Sequence, residues 1–241
     1  MGRFESTAPW YARYRPRYPS ELIVRLVAAA GLDRRSRVLD LGAGPGHVAL
    51  ALAEHVGEVV AVDVEVDMLA QIDAPNVRTV HGRAEDVDAS WGRFDLVTAG
   101  RSFHWFDAET MFAQLPLVTD QLALLGDSIT QSDAQSRVVT IATELMGEEP
   151  PRPPRKWYRD VLAASPFSDV EQIDAIAERT WTAESLIGLA YSTSVASPER
   201  LGSKRVEFER RVRAAFGDAE YHDRVSVSAL LGRRGEHRLE A

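Results

Sequence analysis

Three glycines at alternate positions, Gly42, Gly44 and Gly46, follow a short apolar strand pattern and precede a helical one. Glycine has no Cβ, so such a turn can adopt positive φ and a ligand can lie directly against its backbone. The unpaired N–H groups and the positive dipole end of the following helix would face the same ligand. The segment, with the backbone of Ala43, therefore predicts a cofactor-binding turn between a strand and a helix.

Two departures from the dinucleotide-binding pattern indicate which cofactor this turn would hold. In G-x-G-x-x-G the last glycine stands three residues after the second one, where this chain has His47. Asp40 places a negative charge just before the turn, where the pyrophosphate of a dinucleotide would be repelled and a cationic amine attracted. Both features favour S-adenosylmethionine over NAD(P).

Residues at the ends of the second and third strand patterns extend this predicted site. Asp63 closes the second strand and can accept hydrogen bonds from two ribose hydroxyls, as in NAD enzymes. Val64 follows it, and Met68, about one helical turn further on, either packs on adenine or fills the core. After the third strand, the backbone at Ala84 and the carboxylate of Glu85 are expected to contact adenine, the alternative being an acidic surface turn.

The fourth strand pattern leads into the aromatic segment 103–106. Gly100 and Arg101 lie at its carboxyl end, where parallel sheets bind ligands, so we add them to the cofactor site. Phe103 and Trp105 are expected to wall the mouth of the pocket, the alternative for Trp105 being core packing. His104 is the candidate catalytic residue, a general base; the alternative is an imidazole whose hydrogen bonds hold the loop in shape.

The segment 1–19 is rich in aromatic residues and arginine, and two prolines three residues apart disfavour regular structure there. Tyr11, Tyr14 and Arg15 are interpreted as a lid that closes over the pocket and excludes water. Arg15 could pair with a carboxylate of the cofactor or of the substrate. The alternative is an arm packed on the sheet edge with solvated arginines.

Alternating strand and helix patterns position all of these residues. The expected strands are 37–41, 59–63, 77–81, 94–99 and 122–126, and the expected helices between them are 48–54, 66–71 and 107–115. This alternation predicts a parallel sheet with helices on both faces. Later patterns predict helices at 132–146, 157–164, 183–191 and 198–216 and strands at 170–182 and 224–232.

Composition narrows the classes of partner. The net charge is −8 and the basic residues are scattered, so no footprint for a nucleic acid is visible. Without cysteine there are no disulfides, zinc–thiolate sites or cysteine nucleophiles, and no ligand spacing predicts a metal site. No segment resembles a signal peptide or a membrane span. We expect a cytoplasmic protein with a small-molecule partner; a homodimer is compatible with the sequence.

The segments 40–46, 82–86 and 94–107, with Asp63, resemble the class I S-adenosylmethionine-dependent methyltransferases. The start Tyr11 to Pro19, the run Phe103 to Phe106 and the stretch 182–197 are similar to the small-molecule group around trans-aconitate methyltransferase. One departure from that group is Arg83, where many relatives have an acid.

This resemblance implies a Rossmann-like, doubly wound α/β fold. Its seven-stranded sheet would be mostly parallel with an antiparallel last strand, and it would carry a helical cap. We therefore expect a single domain over 1–241, with the arm at 1–19, a cap insertion at 150–216, and the last strand and tail at 217–241.

The expected activity is methyl transfer from S-adenosylmethionine to an oxygen, nitrogen or carbon atom of a small organic molecule. Two alternatives remain open from the sequence. One is a methyltransferase of tRNA or another nucleic acid, and the other is a cofactor-binding protein without turnover.

Overall fold

The computed structural model describes residues 8–127, 133–147, 157–193 and 196–235. Its strands are β1 (Arg37–Leu41), β2 (Glu58–Asp63), β3 (Val77–His81), β4 (Leu96–Gly100), β5 (Gln121–Asp127), β6 (Asp169–Trp181) and β7 (Tyr221–Arg233). Its α-helices are α1 (Ala8–Tyr14), α2 (Ser20–Ala29), α3 (His47–Ala53), α4 (Val66–Leu69), α5 (Ala108–Val118), α6 (Asp133–Met146), α7 (Trp157–Ala163), α8 (Ala183–Tyr191), α9 (Pro198–Leu201) and α10 (Arg205–Phe216).

The strands form one seven-stranded sheet in the order β3-β2-β1-β4-β5-β7-β6. The pairs among β1 to β5 are parallel, and β7 runs antiparallel to β5. This confirms the predicted Rossmann-like, doubly wound α/β sheet with an antiparallel last strand. The apolar runs of β1, β2 and β4 are buried almost without interruption, as expected for strands that are covered on both faces.

The chain divides into two compact units. The first, here called the sheet unit, comprises the described residues of 18–127, 157–175 and 227–235. The second, the helical unit, comprises those of 8–17, 133–147, 176–193 and 196–226. These boundaries differ from the expected cap at 150–216, since 157–175 cluster with the sheet and 8–17 with the helices. The single-domain interpretation stays a prediction.

Two local predictions were wrong. The expected irregular arm contains α1, because Pro9 lies in the first helical turn, where proline is tolerated, and Pro16 follows the end of the helix. The single helix expected at 198–216 is interrupted after α9 by a 3₁₀ turn that begins at Gly202, whose φ is 50°. Proline and glycine act here at the ends of helices.

In the helical unit, α1 packs on α8 through aromatic rings. Trp10 stacks near Tyr14 with ring centroids 5.8 Å apart and meets the edge of Tyr191 at 4.9 Å. The ring of Tyr14 lies directly over Gly188, where any Cβ would overlap it. Gly188 is therefore required in the middle of α8 despite its poor helix propensity.

Gly188→Ala should destabilise the protein, although glycine to alanine in a helix normally stabilises by about 1 kcal/mol. The new methyl group has to displace Tyr14, and such overpacking typically costs about 1–3 kcal/mol. Thermal unfolding of Gly188→Ala, of Tyr14→Ala and of the double variant measures this. In the Tyr14→Ala background the methyl group should become harmless. An equal loss in both backgrounds would contradict the steric explanation.

Candidate cofactor and acceptor site

The candidate site lies in the sheet unit, at the point where the strand order reverses. The chain leaves β1 in one direction, towards β2, and leaves β4 in the other, towards β5. Ligands of open α/β sheets bind in the crevice at such a switch point, beyond the carboxyl ends of the strands. The glycine turn follows β1 and the segment that starts at Arg101 follows β4, so both border this crevice.

The glycine turn has the backbone geometry that its sequence predicts. Gly42, Gly44 and Gly46 have φ values of 62°, 55° and 84°. A Cβ on Gly42 would lie 2.5 Å from Cβ of Ser102, and one on Gly46 would lie 2.8 Å from Cγ1 of Ile72. Within 4 Å of the equivalent position at Gly44 there is no atom. The outer two glycines let the turn pack closely, and Gly44 offers bare backbone to a ligand.

Asp40 lies beneath this turn and is 1% exposed. Its Oδ1 accepts a hydrogen bond from Thr98 Oγ1 at 2.7 Å, and its Oδ2 accepts one from the N–H of Ala49 at 3.1 Å. Burial raises the pKa of the Asp40 carboxyl to about 7, against the lowering effect of the two hydrogen bonds. The structure thus shows a buried carboxyl that joins β1, β4 and α3. Its predicted contact with the amine of a cofactor stays a prediction.

Asp63 fastens the turn to the end of β2. Its Oδ2 accepts a hydrogen bond from the N–H of Gly44 at 2.7 Å, and its Oδ1 accepts one from Glu65 at 2.9 Å. The N–H of Ala43 also donates to the carbonyl of Val62, at 3.0 Å. A carboxylate oxygen can accept more than one hydrogen bond, so half-buried Asp63 can hold the turn and still accept from ribose hydroxyls.

The residues expected around adenine separate into exposed and buried ones. Val64, next to Asp63, is 54% exposed and offers an apolar surface beside the turn. Met68 and Ala84 are buried at 4% and 6% exposure. For Met68 this favours core filling, the alternative left open by the sequence. Val64 remains available as an apolar contact for a nucleoside.

Glu85 has a structural task of its own. Its Oε1 accepts a hydrogen bond from the N–H of Asp107 at 2.9 Å, just before α5, and its Oε2 pairs with Arg83 Nε at 3.3 Å. The carboxylate thereby joins the turn after β3 to the start of α5. Contact between the Glu85 side chain and adenine stays a prediction.

The segment after β4 contains Phe103 and Trp105, which the sequence predicts at the mouth of the pocket. Phe103 was expected at the mouth of the pocket, and this was wrong: it is 2% exposed and packs in the core against Phe106, Phe112 and Tyr158. Trp105 is 42% exposed, with its ring 4.6 Å from that of His104. Of these two aromatic side chains, Trp105 is therefore the one exposed to solvent.

His104 Nδ1 lies 2.8 Å from the hydroxyl of Tyr158. Burial raises the pKa of Tyr158 to about 12, partly opposed by a hydrogen bond from the His104 backbone. The hydrogen bond at Nδ1 agrees with the alternative given for His104, an imidazole whose hydrogen bonds hold the loop in shape. A role as base stays a prediction. No pattern in the sequence points to Tyr158, which is 54 residues away.

Tyr11, Tyr14 and Arg15 belong to the helical unit. The guanidinium of Arg15 lies 5.4 Å from the centroid of the Tyr11 ring, and Tyr14 packs on α8 as described. Their role as a lid stays a prediction.

Two negative findings apply to the described part of the chain. Its histidine, aspartate and glutamate side chains form no group of three or more that could hold a metal ion. Within the same ranges, no helix combines the length and apolarity required to cross a bilayer.

Asp40→Asn should change how stability depends on pH. A carboxyl whose pKa is raised from 3.8 to about 7 on folding stabilises the fold below pH 4, and this contribution is lost as pH rises to 7. The asparagine variant does not titrate. Between pH 4 and pH 7, the free energy of unfolding of the variant minus that of wild type should therefore rise by a few kcal/mol, on the order of 1.4 kcal/mol per pH unit.

Urea unfolding at pH 4, 5.5 and 7 measures this difference. The amide can be accommodated, because Thr98 Oγ1 also lies 3.5 Å from the carbonyl of Leu39 and can donate there while it accepts from the amide. A difference between the two proteins that is independent of pH would contradict the raised pKa.

Comparison with known proteins identifies the family. The model of the family described as "Methyltransferase domain" matches residues 38–122. An uncharacterized methyltransferase of Mycobacterium tuberculosis is 31% identical over 216 residues, which cover 88% of this chain and 85% of that protein. Its Mycobacterium bovis counterpart matches equally.

The fold is shared with solved structures. A putative type II methyltransferase from Anaeromyxobacter dehalogenans has a TM-score of 0.63 at 24% identity, over 91% of this chain and 98% of that one. A putative methyltransferase from an antibiotic biosynthesis pathway of Anabaena variabilis gives 0.61 at 17% identity, over 87% and 96%. These likenesses show the fold, and the mycobacterial relatives show the family. The chain therefore belongs to the class I S-adenosylmethionine-dependent methyltransferases.

Proposed function

We propose that this enzyme methylates a small organic molecule on an oxygen, nitrogen or carbon atom. For the donor, the observation that carries the proposal is the open backbone of Gly44, held by Asp63, which the exposed Val64 follows in the chain. This arrangement fits the nucleoside of S-adenosylmethionine. The net charge of −8 disfavours a nucleic-acid acceptor. The resemblance of Tyr11 to Pro19, of Phe103 to Phe106 and of 182–197 to the trans-aconitate methyltransferase group supports a small one.

S-adenosylmethionine, held by Asp63 and the glycine turn, would supply an electrophilic methyl group on a sulfonium; this sulfur would keep the electron pair of the broken carbon–sulfur bond and leave as S-adenosylhomocysteine. The contribution of the protein is to hold the reacting atoms in line, and positioning of this kind supplies much of the acceleration. Asp63 and the glycine turn would fix the donor.

A base is required only where the acceptor atom carries a proton of high pKa. A carboxylate acceptor needs none, whereas a phenol or an amine can use one. His104 is the residue we propose for this role. Since Tyr158 contacts Nδ1, the proton would be taken at Nε2.

Asp63→Ala should weaken the binding of S-adenosylhomocysteine by about tenfold to a hundredfold, because hydrogen bonds to a charged acceptor contribute about 1.5–3 kcal/mol each. The variant loses the acceptor for ribose hydroxyls and the bond that holds Gly44. Asp67→Ala is the matched control: it removes an exposed carboxylate from nearby α4 and should leave affinity unchanged. Isothermal titration calorimetry measures both. Equal affinities for Asp63→Ala and wild type would contradict the assignment.

Turnover on a panel of carboxylic acids, phenols and amines, with S-adenosylhomocysteine release as the readout, tests the acceptor class. At least one class should be methylated. Methylation of tRNA together with inactivity on the whole panel would contradict the proposal, and retention on RNA with a steep salt dependence would accompany that outcome.

A further inference from the structure

Arg101 has a left-handed backbone conformation, which is unusual for a residue with a side chain. Its φ is 56°, and among the residues that the structure describes no other non-glycine residue has a positive φ. Such left-handed conformations cost about 1–3 kcal/mol outside glycine and cluster at ligand-binding sites. Here the surroundings impose the conformation, since the N–H of Arg101 donates to the carbonyl of Leu125 at 2.9 Å.

Tyr18 holds the side chain of Arg101 in place. The guanidinium carbon lies 4.5 Å from the centroid of the Tyr18 ring, and the ring is buried at 7% exposure. The Tyr18 hydroxyl donates to the carbonyl of Leu125 at 3.3 Å, the same oxygen that accepts from Arg101. One carbonyl at the end of β5 thus fixes both partners of this cation–π pair.

Arg101 is also joined to the glycine turn. It lies between Gly100, the last residue of β4, and Ser102. The hydroxyl of Ser102 donates to the carbonyl of Leu41 at 2.8 Å, and its side chain packs on Gly42. A cation is thereby held one residue from the contact between the two loops that border the switch point.

We propose that Arg101, supported by Tyr18, binds a carboxylate in the methyl-transfer site. An arginine can stack on an aromatic ring through its flat face and bind a carboxylate through two N–H groups at its edge. The carboxylate has two sources, the amino-acid end of the cofactor or the acceptor. The second source rests on the proposed function, and the first does not.

Paired ligands distinguish the two sources. S-adenosylhomocysteine and 5′-methylthioadenosine share the nucleoside and the thioether, but the latter lacks the amino-acid end. If Arg101 binds the cofactor, Arg101→Gln should weaken S-adenosylhomocysteine about tenfold or more and leave 5′-methylthioadenosine unchanged. If it binds the acceptor, both affinities stay unchanged. Saturation-transfer NMR on the S-adenosylhomocysteine complex should then detect succinate or benzoate with wild type and not with the variant.

Matched variants separate binding from folding. Arg101→Gly keeps a positive φ without strain and should reproduce the loss seen with glutamine at an unfolding temperature near that of wild type. Tyr18→Phe keeps the ring and should retain binding, whereas Tyr18→Leu should lose it. Arg78→Gln removes an exposed arginine of β3 and should change nothing.

Two outcomes overturn the assignment: an equal loss of both nucleosides, or no difference from wild type with any of the probes. Failure of the proposed function is recognised separately, because a protein that methylates no small molecule still reports the two nucleoside affinities. The two nucleoside affinities therefore test the contact between Arg101 and the cofactor independently of the acceptor.

Discussion

The buried carboxyl of Asp40 is the interaction on which the geometry of the site depends. It joins a hydroxyl on β4 and a backbone N–H in α3 to β1, and so fixes the three elements that surround the switch point. The raised pKa shows that the loss of hydration outweighs the two hydrogen bonds. A group that costs stability at neutral pH is expected where function requires a defined geometry.

That geometry holds the proposed cofactor turn in a fixed conformation. Gly42 and Gly46 have no room for a Cβ, Gly44 does, and Asp63 holds the N–H of Gly44. A loop already held in its binding conformation has less conformational entropy to lose when it binds, so more of the contact energy appears as affinity. The same reasoning applies to Arg101, whose strained backbone is held by the carbonyl of Leu125.

Local signals made much of the fold predictable. The bounds of β1, β3 and α8 agree with those predicted from the sequence. For β1, a short continuous apolar run indicates a buried strand, and for α8 the helical spacing of apolar residues indicates one buried face. The glycine turn was readable because positive φ selects glycine. The helix α1 was missed since prolines act at helix ends as well as within helices, and the burial of Met68 and Phe103 depends on tertiary packing that no local pattern encodes.

The glycine turn and the segment after β4 differ in what could be predicted from the sequence. The turn is predicted by its own glycines and by the acids at the ends of β1 and β2. The segment after β4 depends on side chains from distant parts of the chain, as His104 meets Tyr158 and Arg101 meets Tyr18. Neither partner carries a local signature of the pairing. Substitutions in such distant segments can therefore change the acceptor within a family, while the turns that predict the methyl donor stay recognisable in the sequence.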